Sequence, residues 1–122
     1  FRSMTKRWAL TKRAQYLTVY KSGKACVDNL IVMKALPNEL EFSRCGFSVA
    51  KDVGKAVVRN RVRRLLREVV RMTSIKAGWD IVFIARPDAA HADYHDLKRS
   101  IGKLLLRARL INENEMVHAR VN

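Results

Sequence analysis

Residues 55–72 carry the tightest pattern in the chain. At 100° per residue, Val58, Val62, Leu65, Leu66, Val69 and Met72 fall within one arc of about 120°, which predicts a helix with a single buried face. Arg59, Arg63, Arg67 and Arg71 step along the flank at i+4, Asn60 and Arg64 share their side, and Arg61 falls near the edge of the apolar stripe. Like charges four residues apart repel one another. A ridge broken by a single acid, Glu68, therefore implies a partner that neutralises it. Guanidinium groups clamp phosphates through two parallel hydrogen bonds, where lysine would supply charge alone. The preference for arginine points to a structured polyanion rather than a diffuse anionic surface. The alternative is a solvated face without a partner, but such faces usually mix their signs. Asn60 carries two readings of equal weight: contact with a sugar or base edge, or anchoring of a local loop.

The same excess runs through the rest of the chain. Against 11 acids stand 25 Lys and Arg, a net charge of +14 over 122 residues. Residues 1–24 hold seven basic side chains and no acid, and residues 51–72 hold eight bases and two acids. Two separated segments thus supply nearly all of the excess, and the simplest fold merges them into one positive face. Nucleic acid is the first partner to expect of such a face, an anionic membrane the second. Hydrophobic residues make up 48%, so the chain is no disordered basic tail, and its length suits one domain. No apolar run approaches the roughly 20 residues that span a bilayer. Cys26 and Cys45 are too few for a disulfide scaffold or a four-cysteine zinc site, and both read as buried small hydrophobes in a reducing, cytoplasmic setting.

The remaining elements follow from local signals. Thr11 is a candidate N-cap and Leu10 a candidate staple for a helix over Thr11–Ser22, with Gly23 as its C′ residue. Tyr16 and Tyr20 lie one turn apart on that helix, among Lys12, Arg13, Lys21 and Lys24. They form either a core pair or a half-exposed stacking pair. Strands are expected over Ala25–Val27, Leu30–Leu36 and Ser43–Ala50, arranged as an antiparallel meander. In the third strand Cys45, Phe47 and Val49 share one face. Gly46, Ser48 and Ala50 share the other, which suits a close-packed helix or a shallow cleft. Trp79–Arg86 is nearly continuous in apolar residues, as befits a central strand covered on both faces. Asp93 caps a last helix to about Arg109 with Ile101, Leu104, Leu105 and Ala108 inward, and Ile111–Asn122 reads as frayed. The expected fold is an α/β (α+β) sandwich in the order αβββαβα, with helices packed on a mixed sheet.

Catalytic chemistry is hard to place. His91 and His95 stand four apart beside Asp93 and Asp96, outside any HExxH pattern, and His118 is remote in sequence. The acids Asp52, Asp80, Asp88, Asp93 and Asp96 form no two-metal spacing. Phosphate-binding glycine loops and nucleophile elbows are missing. The residues predict a protein that binds, with no catalytic side chain and no protein-held metal. A stand-alone nuclease would need converging acids or histidines. An architectural or ribosomal RNA-binding protein would need only the arginine helix. A helix-turn-helix DNA binder lacks the short helix that should precede it.

From Lys51 to Glu68 the chain reads KDVGKAVVRNRVRRLLRE. Lys51, Gly54, Ala56-Val57, Arg59-Asn60-Arg61, Arg63-Arg64 and Arg67-Glu68 resemble the signature of the protein subunit of bacterial ribonuclease P. The likeness runs back through Arg44, Gly46, Phe47, Ser48 and Val49, forward to Ile84-Ala85-Arg86, and into the first helix at Leu10, Tyr16, Tyr20 and Gly23. About one hundred of the 122 residues are covered. The resemblance implies a single RNA-binding domain over residues 4–115, with a left-handed β-α-β crossover that holds the arginine helix. Residues 1–3 are set apart as a cloning scar or processed leader and residues 116–122 as a frayed tail. It implies two RNA partners, ribonuclease P RNA and precursor tRNA, no membrane and no obligate protein partner. In the family the RNA subunit performs the hydrolysis that removes the 5′ leader, with Mg²⁺ held mainly by RNA, so the protein alone is not expected to cleave. Contact with the catalytic RNA falls on Arg59, Asn60, Arg61, Arg63, Arg64 and Arg67. Contact with single-stranded leader falls on Lys12, Tyr16, Tyr20, Lys34 and Lys51. Two positions depart from the family pattern: Lys34 stands where an aromatic is common, and Asp52 where a second lysine is.

Overall fold

A computed structural model describes residues 8–111. The segments 1–3 and 116–122 therefore lie outside the described residues, as does most of the tail expected to fray. The elements run α1 (Arg13–Ser22), β1 (Lys24–Val27), β2 (Ile31–Pro37), β3 (Arg44–Ser48), α2 (Ala56–Arg71), β4 (Trp79–Ala85) and α3 (Tyr94–Arg107). Short 3₁₀ turns at Lys51–Val53 and Pro87–His91 join β3 to α2 and β4 to α3. The order is the αβββαβα read from the sequence.

The meander is not formed. The strand order is β1-β2-β4-β3: β2 pairs antiparallel with β1 and β4, while β3 pairs parallel with the far edge of β4. Burial accounts for the difference. β4, with Ile81, Val82 and Phe83 fully buried, gains most from an interior position, and the other long apolar strand, β2, lies beside it. β3 carries Gly46 and Ser48 on one face and loses less at an edge. Its outer side is covered by the segment Trp8–Leu10: Cys45 donates its N–H to Trp8 O at 2.7 Å and accepts from Leu10 N–H at 2.9 Å.

That edge contact also sets the hand of the crossover. The Cys45 side chain enters the layer beneath α2 and α3. For an L-residue seen from the side its side chain points to, with the strand running upward, its N–H and C=O lie to the right. Trp8–Leu10 is therefore to the right of β3, and β4 is to its left. The chain leaves β3, crosses the near face as α2 and enters β4 on the left, a left-handed connection of the kind seldom found.

Two layers of side chains hold the sheet. On one face Ile31, Met33, Ile81 and Phe83 meet Val62 and Leu66 of α2 and Leu97, Ile101, Leu104 and Leu105 of α3. On the other, Val82 packs with Leu10 and Val19 of the α1 side, joined by Tyr16, Tyr20, Leu36 and Ile84. The α2 stripe is buried at Val62, Leu66, Val69 and Val70. Met72, expected on it, is 72% exposed: its N–H still bonds to Glu68 O, but the buried arc is centred toward Val70 and Met72 lies at the far edge of the stripe. Gly23 does not take the left-handed conformation expected of a C′ glycine; its φ is −75°. Space dictates glycine there: a Cβ would lie 2.6 Å from Val19 O and 3.2 Å from Ala35 O. Cys26 and Cys45 sit on opposite edge strands and are free thiols, Cys26 half-buried and Cys45 buried. Burial pushes the Cys45 thiol up to about 12.

Asp93 caps α3 as expected. Its carboxylate accepts from Asp96 N–H at 2.8 Å, and the Asp96 carboxylate accepts from Asp93 N–H at 3.0 Å. The hydrogen bond from the Asp96 backbone lowers the Asp93 pKa. A carboxylate with a depressed folded pKa adds stability above its unfolded pKa and loses it as pH falls through the folded one. Asp93→Asn keeps a capping oxygen but cannot titrate. Thermal melts of the variant should therefore show a shallower loss of stability below the ordinary carboxylate range than the parent; equal acid slopes would refute the contribution of this cap.

Candidate nucleic-acid interface

The arginine helix and the two tyrosines meet at the β3 edge. Gly46 faces α1, and a Cβ built there would lie 2.6 Å from the Tyr16 ring, so only glycine lets the ring lie flat on the strand. Here the sequence's small-residue face is used for close packing of a helix. Tyr16 and Tyr20 stand 6.3 Å apart between ring centroids, tilted by 52°. Both are half-buried: one side of each ring packs on the small cluster under α1, and the rest is open. The pair is thus neither fully buried nor free of the core.

Arg67 reaches over the same edge from the other layer. Its guanidinium carbon lies 5.9 Å from the centroid of Phe47, whose ring stacks on Phe83 at 6.0 Å and 18°. A cation over an aromatic face is held in place without losing its outward N–H groups. Burial raises the Tyr16 pKa from 10.0, opposed by a hydrogen bond with the Phe47 backbone and by the nearby charges of Arg67 and Arg63. The phenol therefore stays neutral and keeps its donor beside the two cations. Between these groups opens a cavity of about 350 Å³ walled by Leu10, Tyr16, Phe47, Arg63 and Arg67, with Trp8, Ala9 and Cys45 at its back.

Lys34 completes the tyrosine side. Its ammonium donates to Tyr20 O at 3.0 Å and lies 5.9 Å from the Tyr20 ring. It closes the last turn of α1, where a cation also favours the helix dipole. Lys12 stands exposed at the start of α1, and Lys51 stands exposed in the 3₁₀ turn after β3.

The six α2 residues divide by direction. Arg64 and Arg67 are exposed, and Arg63 is half-buried beside Tyr16. Arg63 also donates to Asn60 Oδ1 at 3.0 Å, so Asn60 orients an arginine as well as facing solvent. Arg59 donates from Nε to Gly54 O at 3.1 Å and braces the turn into the helix. Arg61 points the other way, donating to the carbonyls of Ala90 and Ala92 in the turn before α3. Its place near the edge of the apolar stripe signalled that separate direction. Phe47, Leu10 and Trp8 are parts of the site that the sequence did not mark. Phe47 and Trp8 look like any core aromatic until the strand order is known.

Among the described residues no three His, Cys, Asp or Glu side chains converge as a metal site. The assembly sets cations beside flat rings, groups whose chemistry suits phosphates and bases. No described helix is long and apolar enough to cross a membrane.

The family model for Ribonuclease P matches residues 4–109. The Ribonuclease P protein component of Dehalococcoides mccartyi is 46% identical over 114 residues, spanning 93% of this chain and 95% of its own. Among solved structures, the RNase P protein of Staphylococcus aureus superposes with a TM-score of 0.77 at 30% identity, covering 86% of this chain and 98% of that one. The RNase P protein from Thermotoga maritima gives 0.75 at 30% identity, with 81% and 96% covered.

Proposed function

The chain belongs to the ribonuclease P protein family, and on that premise we propose that α2 docks on the catalytic RNA while the groove beside Tyr16 and Tyr20 holds the unpaired 5′ leader of precursor tRNA. Membership makes it the protein component of an RNA–protein endoribonuclease that processes tRNA 5′ leaders, with ribonuclease P RNA as its partner. The observation that carries the finer reading is the meeting of Arg63 and Arg67 with Tyr16 and Phe47 around one cavity. Cations and flat rings side by side match what a single strand offers: phosphates and bases in alternation.

The division of labour follows from the residues. Arg64 and Arg67 extend from the exposed arc of α2 and suit phosphates of folded RNA; Arg59, Asn60 and Arg61 shape the helix and its neighbours. Tyr16 and Tyr20 supply sequence-tolerant platforms, and Lys12, Lys34 and Lys51 lend positive charge to the leader path. Bringing a leader strand beside a folded RNA costs mutual repulsion, which the excess of +14 offsets. In this reading the RNA subunit holds Mg²⁺, and no step of the hydrolysis is assigned to the protein.

Reconstitution tests the reading. Mixed with bacterial ribonuclease P RNA, the protein should accelerate leader removal at low Mg²⁺, and alone it should release no leader. Arg64→Ala and Arg67→Ala should each weaken assembly with the RNA and lower the salt slope of binding by roughly 1. An unchanged slope in both would reject phosphate contact by α2.

A further inference from the structure

The structure assigns a second phosphate-binding row to α3, and we propose that it docks a further segment of the same catalytic RNA. His95, Arg99, Lys103 and Arg107 recur at every fourth position and are all exposed. An i+4 step rises about 6 Å, so the row runs for about 18 Å along the helix. Leu97, Ser100, Ile101, Gly102, Leu104 and Leu105 are buried, and Tyr94, Asp96, Lys98 and Leu106 are half-buried. The row therefore holds every fully exposed position of the helix.

The acids nearby are already engaged. The Asp96 carboxylate accepts from Arg99 at 2.6 Å and from the Asp93 N–H, and Asp28 accepts from Ser100 Oγ at 2.6 Å. Lys103 makes no hydrogen bond or ion pair among the described residues, and Arg107 is aimed along the β1 edge by its bond to Val27 O at 3.0 Å. A polar recess of about 200 Å³ lies between Arg99, Lys103 and the β1–β2 turn at Asn29 and Leu30, and the carboxylates of Asp28 and Asp96 line it as well, so the phosphates would meet the row at its exposed rim.

Position selects the RNA. α2 packs over β3 and α3 over β2 and β1, side by side on one face of the sheet. α1 and the tyrosines lie on the other face. A leader strand held against α1 cannot also lie along α3, whereas a folded RNA seated on the exposed arc of α2 continues across the helical layer. The inference rests on the proposed docking of α2.

The test uses the full chain with Arg99→Gln and Lys103→Gln together, since both side chains are exposed and Arg107 is left to hold the β1 edge. Affinity for ribonuclease P RNA is measured against salt, with Arg64→Ala/Arg67→Ala in parallel. The row predicts about tenfold weaker binding and a salt slope reduced by about 2, with the ratio of precursor to mature tRNA affinity unchanged. Parent affinity and slope in the α3 variant, while the α2 variant is impaired, would overturn the second row and leave the first intact. If neither variant is impaired, the docking of α2 itself fails. A loss seen only in the precursor-to-mature ratio would reassign the row to the substrate and overturn the choice of catalytic RNA.

Discussion

Replacing Tyr16 and Tyr20 together by alanine is expected to lower precursor-tRNA affinity of the reconstituted enzyme by about 10- to 100-fold while mature-tRNA affinity stays within about twofold. At the low end of the roughly 1–3 kcal/mol that each aromatic platform contributes per stacked base, two platforms give about 2 kcal/mol, a factor of about 30. Only the precursor carries a leader, so the difference between the two ligands isolates the stacking contribution from general charge. Both rings also pack on the small cluster of Leu10, Val19 and Val82, and truncation removes some of that packing. Tyr16→Leu with Tyr20→Leu separates the effects, because leucine restores apolar contact without a flat ring. The leucine pair should regain stability in a melt yet remain poor at distinguishing precursor from mature tRNA. Gly46→Val approaches the same groove from below, since its side chain must displace the Tyr16 ring from the strand. Equal losses for precursor and mature tRNA in the alanine variant would remove the tyrosines from the leader path.

Why the groove was half legible in the sequence is clear from its parts. The α2 ladder and its apolar stripe are local, so a helical wheel places Arg63, Arg64 and Arg67 together without knowledge of the fold. Tyr16 and Tyr20 are likewise neighbours by helical spacing. What brings the two groups within reach is the edge position of β3, and strand order depends on contacts far apart in sequence. Period-two patterning shows that Arg44–Ser48 is a strand but not that it lies parallel to β4, and the adjacent placement of β2 and β3 in the chain favoured the wrong neighbour. Arg61 shows the same limit at a single residue. Its helix angle is legible, but its carbonyl partners Ala90 and Ala92 are supplied by a turn about thirty residues on. The Gly23 position was correct and its cause was not, because the clash of a Cβ with Val19 O, and its close approach to Ala35 O of β2, depend on the path the chain takes out of α1.

A third long-range feature, the Arg44–Asp80 pair, carries the largest expected effect on stability. Arg44 and Asp80 are register partners on β3 and β4, and their contact is bidentate, Nε to Oδ1 at 2.8 Å and the terminal nitrogen to Oδ2 at 2.6 Å. Asn38 adds a bond to Oδ1 at 2.9 Å and another to Phe42 O at 3.2 Å, tying the β2–β3 connection to the same carboxylate. Donating to Asp80 pushes the Arg44 pKa further up, and with its partner removed the guanidinium is still a cation, because arginine does not lose its proton in a protein. Breaking a fully buried pair from one side costs about 3–5 kcal/mol, because the remaining charge is left unpaired. With side-chain exposures of 23% for Arg44 and 10% for Asp80, some water reaches the arginine, and Asp80→Ala should cost about 2–4 kcal/mol. That is a large share of the roughly 5–15 kcal/mol that holds a domain together. Arg44→Met with Asp80→Leu should recover most of the loss, since an apolar pair of similar volume leaves no orphaned charge. Chemical denaturation of Arg44→Met, Asp80→Leu and the double variant closes the cycle. A loss below about 1 kcal/mol for Asp80→Ala would mean that the pair behaves as a solvated surface contact, and the parallel register of β3 on β4 would then rest on side-chain packing alone.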